Sequence, residues 1–410
     1  MSAFTCAVCG AVVDDRARWP WHCPRATTAD PFHVLVPPPA SALPIDDPNP
    51  FVRYVDRLAA LRIAAPEDRV DLMRDLDAAV ASVEGHGFEI TPLGRADELS
   101  DALGFDAIGG VWVKDETGNV AGSHKARHLA SIMLHLLATD DGARPPLAIA
   151  SCGNAALAAA TLAAATQWPL QVFVPPQADP DVLDRLDALG AELITCARRA
   201  GDPPGDPCLH RFRGAVAEGA IPFTVQGPEN GLCLDGGRTI GWEIVDQLVE
   251  LDLPEVDRAF VQVGGGALGA CLAAGLADGA MTPQLHPVQT EGGAPLARAW
   301  KLAEPVGVAT AARRWREFMW PWETEPQSAA SGILDDETYD WVPLLLRTET
   351  SGGWPVVVPE AAIVEAHELA RRTTGIAVSA TGSAGLAGLL TARAEVGDGE
   401  RVLVVFSGRR

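Results

Sequence analysis

Ala259-Phe260-Val261-Gln262-Val263-Gly264-Gly265-Gly266-Ala267-Leu268-Gly269 passes from a β-branched apolar run into three glycines and then into an Ala/Leu-rich run. Such a passage reads as a buried strand that stops at a tight loop and restarts as a helix. Consecutive glycines leave N–H groups uncovered by any Cβ, and a helix start adds partial positive charge. The loop therefore suits a phosphate or another anion. Its spacing is not Gly-x-Gly-x-x-Gly, so a dinucleotide is a poor match. Taken alone, the loop is also what a ligand-free tight turn looks like.

The same alternation extends both ways along the chain. Val111-Trp112-Val113 reads as a strand, with a helix from Lys125 to about Leu137 after it. Leu147 to Ala150 and Leu170 to Val174 read as strands, followed by helices over Ala155 to Ala165 and Pro180 to Leu189. Val402 to Phe406 is a last buried strand. Strand–helix alternation predicts an α/β fold with largely parallel sheets, whose ligands sit at the C-terminal strand ends. Upstream, Val55, Leu58 and Leu61 carry a helical period from Phe51 to about Val83, which Gly85-His86-Gly87 ends.

The 410 residues predict two or three compact units. With 32 Lys+Arg against 54 Asp+Glu, the net charge of −22 offers no basic face for nucleic acid or an anionic membrane. Leu147 to Thr166 is mostly Ala and is broken by Gly153-Asn154, which predicts a strand, turn and helix instead of a membrane span. Met1 to Gly10 carries no Lys or Arg and no apolar run follows, and the later cysteines have no disulfide rhythm. A reducing cytoplasm is the expected setting.

Three further segments carry chemistry. In Lys114-Asp115-Glu116-Thr117-Gly118-Asn119-Val120-Ala121-Gly122-Ser123-His124-Lys125-Ala126-Arg127, Lys125 stands at a loop-to-helix junction. There the helix end disfavours its ammonium and favours the neutral amine that a Schiff base needs. Read alone, it is also an ordinary first-turn lysine. Ser151-Cys152-Gly153-Asn154 is a small-residue loop before a helix, suited to an anion or, more plainly, to capping. Ser407-Gly408 closes the last strand with a hydroxyl.

The order of these motifs, over about residues 85–410, resembles the fold-type-II pyridoxal-phosphate enzymes. That family includes threonine and serine ammonia-lyases, threonine synthase, cysteine synthase and the tryptophan synthase β chain. The resemblance implies two doubly wound open α/β sheets with the cofactor between the domains, as in the tryptophan synthase β chain. The larger domain would combine 85–127 with 228–410, and the smaller would span 128–227. Lys125 would hold pyridoxal phosphate as a Schiff base and move the substrate Cα proton. Asn154 would bond the ring hydroxyl, and Ser151, Gly153 and Asn154 the substrate. Gly264, Gly265, Gly266, Ala267 and Leu268 would hold the phosphate, and Ser407 would face the ring nitrogen. A neutral hydroxyl there does not enforce ring protonation, which suits elimination or replacement. His124, His128 and Ala267 depart from common family residues, which weakens any transfer of substrate identity.

The implied reaction is β-elimination from threonine or serine to a 2-keto acid and ammonia, by a homodimer. The alternatives are threonine synthase chemistry on O-phosphohomoserine and a metabolite-binding relative without turnover. Residues 1–40 form a cysteine-bearing head whose Cys and His motifs precede Pro37-Pro38-Pro39, which reads as a stiff connector. Cys6-x-x-Cys9 has the knuckle spacing of a structural zinc site, with Cys23 and either His22 or His33 to complete it. Ala26 leaves the second half without Cys-x-x-Cys, so a metal-free remnant is the equal alternative.

Overall fold

Three short antiparallel strands lie at the N-terminus of the computed structural model, which describes residues 3–253 and 255–410. They are β1 (Ala3–Cys6), β2 (Val12–Asp14) and β3 (Leu35–Val36), in the order β2-β1-β3. Next along the chain come β4 (Leu93–Arg95), β5 (Gly110–Asp115), β6 (Leu147–Ala150), β7 (Leu170–Val174), β8 (Glu192–Thr195) and β9 (Ile221–Pro222). The last four are β10 (Arg258–Gln262), β11 (Gln284–Thr290), β12 (Val356–Val358) and β13 (Arg401–Phe406).

They pair into a six-stranded sheet, β12-β11-β10-β13-β5-β4, and a four-stranded one, β8-β7-β6-β9. Every pairing in both is parallel except that of edge strand β4 with β5. This is the α/β architecture expected. Helices cover both faces of such sheets, so an inner strand reads as an unbroken apolar run. Val402, Leu403, Val404, Val405 and Phe406 of β13 are accordingly all buried. Val404 pairs with Phe260 on one side and Val113 on the other, which brings the C-terminal ends of β10, β13 and β5 together.

Two sequence expectations change. The stretch from Phe51 to about Val83 is not one helix but a one-turn α-helix at Pro50–Arg53, 3₁₀ turns at Ala59–Leu61 and Pro66–Asp68, and a second α-helix over Arg69–Glu84. Pro66 lacks the N–H a continuing helix needs, and Ala65 before it is extended. Val55, Leu58 and Leu61 are buried all the same, so their period reported burial and not helix. Gly85, at φ +91°, closes the real helix as a left-handed cap.

Nor do Pro37–Pro39 hold the head at a distance. The Pro38 carbonyl accepts from buried Arg238, and the Gly231 N–H donates to the Trp21 carbonyl. Phe4, Phe32 and Val34 share one apolar core with the Lys125–Ala138 helix. Among the described residues, no helix is long and apolar enough to cross a membrane.

Candidate active site

Three adjacent parallel strands deliver their loops to one edge of the six-stranded sheet. β5 leads through residues 116–124 to Lys125, β10 to Gly264–Gly266, and β13 to Ser407. Ser123 and Gly408 form a β-bridge, and the His124 N–H donates to the Ser407 carbonyl at 3.0 Å. Ala121, in the turn before the lysine, sits at φ +56°, a strained conformation for a non-glycine residue. From the other sheet, β6 delivers Ser151–Asn154. A Cβ on Gly408 would lie 3.0 Å from Asn154 Nδ2, so Asn154 and Ser407-Gly408 are neighbours. Asn154 Nδ2 donates to the Arg410 carbonyl at 2.8 Å, while its buried Oδ1 has no partner.

A buried ion network fixes the start of the lysine helix. Arg127 Nε donates to Glu116 Oε2 at 2.8 Å, and Arg127 also pairs with Glu243. Lys114 Nζ donates to Glu243 Oε2 at 2.6 Å and to the Thr91 carbonyl at 2.7 Å. All four side chains are fully buried. Burial alone would neutralise Glu116, but Arg127 and Lys114 hold its carboxyl below the ordinary range. Sequence reading missed this network. Its one signal was a charged Lys114-Asp115-Glu116 directly after an apolar strand.

The ammonium of half-buried Lys125 is disfavoured, as expected, but for a different reason. Burial lowers its pKa, opposed by the carboxylates of Asp335 and Asp340. Burial also keeps His124 and His128 neutral, the latter pushed down to about 3. Each ring bonds a carbonyl through Nδ1, His124 that of Ser407 and His128 that of Cys233. Each Nε2 is thereby left a buried acceptor without a partner.

Gly264–Gly266 lie under a segment that sequence reading did not single out. A Cβ on Gly264 would stand 2.2 Å from Asp335 Oδ2, and one on Gly266 3.1 Å from Thr338 Cγ2. The Asp340 N–H donates to the Gly265 carbonyl, and the Gly227 N–H donates to both Asp340 oxygens at 3.1 and 3.2 Å. Burial pushes Asp335 up to about 6 and Asp340 up to about 7, although Lys125 draws both down. The carboxylates of Asp336 and Asp206 add to the effect of burial on Asp335. Burial raises the Cys152 thiol, and the Asp335 carboxylate adds to that shift.

Gln262 was missed too. Its Nε2 donates to Ser407 Oγ at 2.6 Å and to the Gly382 and Val405 carbonyls.

In the head, Cys6, Cys9, Cys23 and His33 bring their ligand atoms within 4.8 Å of one another. His22 is elsewhere, with Nδ1 bonded to the Pro228 carbonyl. All eight cysteines are unpaired.

Residues 85–408 match the family described as "Pyridoxal-phosphate dependent enzyme". Threonine synthase from Synechocystis sp. is 27% identical over 389 residues, 93% of this chain and 89% of that protein. L-serine dehydratase from Saccharomyces cerevisiae is 28% identical over 204 residues, 48% of this chain and 60% of that protein. Among solved structures, the T.th. threonine deaminase superposes with a TM-score of 0.63 at 24% identity, over 82% of this chain and 98% of that one.

Proposed function

The chain belongs to the family of pyridoxal-phosphate-dependent enzymes, and we propose that it is a lyase that eliminates the β-hydroxyl of threonine or serine, leaving a 2-keto acid and ammonia. Lys125 would hold the cofactor, Gly264 to Leu268 its phosphate, Asn154 its ring hydroxyl and Ser407 its ring nitrogen. Two observations support the fit. Burial disfavours the charged form of Lys125, and Asn154 has an orphaned buried oxygen beside Gly408. Bound there, pyridoxal phosphate supplies an electron sink for charge developing at the substrate Cα.

The chain's own groups supply the rest. Burial keeps Lys125 Nζ ready to take and return the Cα proton. Gln262 fixes Ser407 Oγ as an acceptor, which leaves the Ser407 hydroxyl hydrogen to donate towards a ring nitrogen. The loop Ser151 to Asn154, at a helix N-terminus, suits the substrate carboxylate.

The carboxyl lining carries the choice of a lyase. The Asp335 carboxylate packed on Gly264, with Asp336 and Asp206 acting on it, disfavours a second phosphate beside Lys125, although His210 acts on Asp336 and Arg213 and Arg298 act on Glu337. Carboxyls raised by burial to about 6 and 7 also have values that suit giving a proton to a departing hydroxide. The second reading, replacement on O-phosphohomoserine, draws support from the 93% coverage by a threonine synthase. Separate incubation with threonine, serine and O-phosphohomoserine, assaying keto acid and phosphate, divides the two. Phosphate release with threonine formed and no keto acid would overturn the lyase. Cofactor binding without turnover of any of the three would leave the non-catalytic reading.

The head belongs to the same proposal as a structural zinc site of Cys6, Cys9, Cys23 and His33. Cys6 Sγ lies 3.4 Å from His33 Nδ1, and Cys9 Sγ 3.5 Å from Cys23 Sγ, spacings suited to tetrahedral ligation. Asp30 Oδ2, 3.1 Å from His33 Nε2, would orient the imidazole as a supporting carboxylate. A homodimer in the cytoplasm completes the reading, with unpaired cysteines as its support for a reducing setting.

A further inference from the structure

Against the helix that follows the glycine loop lies a cavity of about 340 Å³. That volume falls within the usual range for small-molecule sites, about 300–1,000 Å³. One wall is a face of the Ala267–Asp278 helix, with Ala270, Cys271, Ala274 and Asp278 at helical spacing. A second is a face of the Trp341–Ser351 helix, with Arg347 at the rim. The Val36–Pro39 strap of the head closes the third side.

Most polar groups on these walls are already engaged. Asp278 accepts from the Ala40 N–H, Arg238 Nη1 and Trp242 Nε1, and Thr350 Oγ1 donates to the Leu346 carbonyl. Arg238 is 2% exposed and spends both Nη atoms on Pro38, Asp278 and Asp235. Its buried Nε has no partner among the described residues. Arg347 is exposed and makes no ion pair among them. Donors and positive charge remain, over walls that are otherwise mainly Ala, Val, Leu and Pro.

We propose that this cavity is an effector site for a small carboxylate with an aliphatic body. Its occupant would rest on the helix whose first residues form the glycine loop. It would also touch Cys271, whose Sγ is 3.9 Å from His128 Nδ1, one turn beyond Lys125. Binding there and cofactor binding at the glycine loop must then alter each other by the same factor.

The test is titration calorimetry on the full chain loaded with pyridoxal phosphate, using 4-methylpentanoate, 4-methylpentanol and isopentylamine as probes. The carboxylate should bind, with the alcohol and the amine at least tenfold weaker. Ala274→Phe, which fills the cavity, should abolish binding, and Arg347→Glu should weaken it about tenfold, or 1.4 kcal/mol. A melting curve and visible spectrum like those of the parent would show that both variants fold and hold the cofactor. The carboxylate should also shift the cofactor dissociation constant, read by absorbance. Equal binding of the three probes, no binding at millimolar concentration, indifference to Ala274→Phe, or an unchanged cofactor constant would each overturn the proposal. So would protection of this face between copies of the chain in solution. None of these readouts uses turnover, so they stand apart from the choice between lyase and synthase.

Discussion

Lys125 and the carboxylates around it set what the site can do. Lys125→Ala should remove the visible absorbance of the cofactor-loaded protein, along with the adduct trapped by borohydride. A variant that kept both would remove the lysine from its role. Asp340 gives a pH signature. Its carboxyl has an ordinary value of 3.8 and is held at about 7 in the fold. The folded chain therefore keeps a proton that the unfolded chain loses, and the stabilisation is complete below 3.8 and lost as pH rises through about 7. His128, held at about 3, acts in the opposite direction up to its ordinary 6.5. The informative quantity is therefore a difference. The stability of the cofactor-free parent minus that of Asp340→Asn, from urea unfolding, should shrink between pH 4 and 7 and level off above. A flat difference would mean that Asp340 ionises normally. Asp340 and Asp335 could not be singled out in the sequence, because their values depend on burial against Gly227, Gly265 and Lys125, far away along the chain.

The elements around the glycine loop tolerate little. Gly266 has φ +97°, and a Cβ there would stand 3.1 Å from Thr338 and 3.3 Å from Asp340. Gly266→Ala should cost about 1–2 kcal/mol in backbone strain alone and weaken cofactor retention several-fold in equilibrium dialysis. Unchanged retention would mean that the loop is only a turn. At the lysine helix, Arg127→Met leaves Glu116 and Glu243 with fewer partners in a fully buried network. Breaking such a network should cost about 3–5 kcal/mol in urea unfolding. A loss under about 1 kcal/mol, the worth of a surface pair, would show the network to be hydrated. At this scale the strands β5, β6, β7, β10 and β13 were legible, being apolar runs bounded by loop chemistry. β11 was not. Gln284, His286, Pro287 and Gln289 disguise a strand that pairs with β10 on one side and β12 on the other. Its identity comes from those partners and not from its own propensity.

For the whole molecule, the head is part of the cofactor-bearing body. Elemental analysis should find zinc near one equivalent in the parent and none in Cys6→Ser/Cys9→Ser. Unchanged zinc in that variant would place the metal elsewhere. Because the head's Trp21, Pro38 and Leu35 touch Gly231 and Arg238, removing the metal should also lower the melting temperature of the entire chain. A separate early transition of the head alone would contradict that coupling.

The sequence by itself determined the class of elements and the chemistry of the loops. Strand–helix alternation, three glycines at a helix start, a lysine at another and a hydroxyl after the last strand are all local patterns. Tertiary structure alone decided which loops meet. The order β10-β13-β5 brings Gly264, Ser407 and Lys125 to one edge, although some 140 residues separate each from the next. It likewise chose His33 over His22 beside the cysteines, and raised the Asp335 and Asp340 carboxyls towards neutrality. The physical reason is common to all of these. Periodicity and turn chemistry act between neighbours in the chain, whereas burial and electrostatic fields act between neighbours in space.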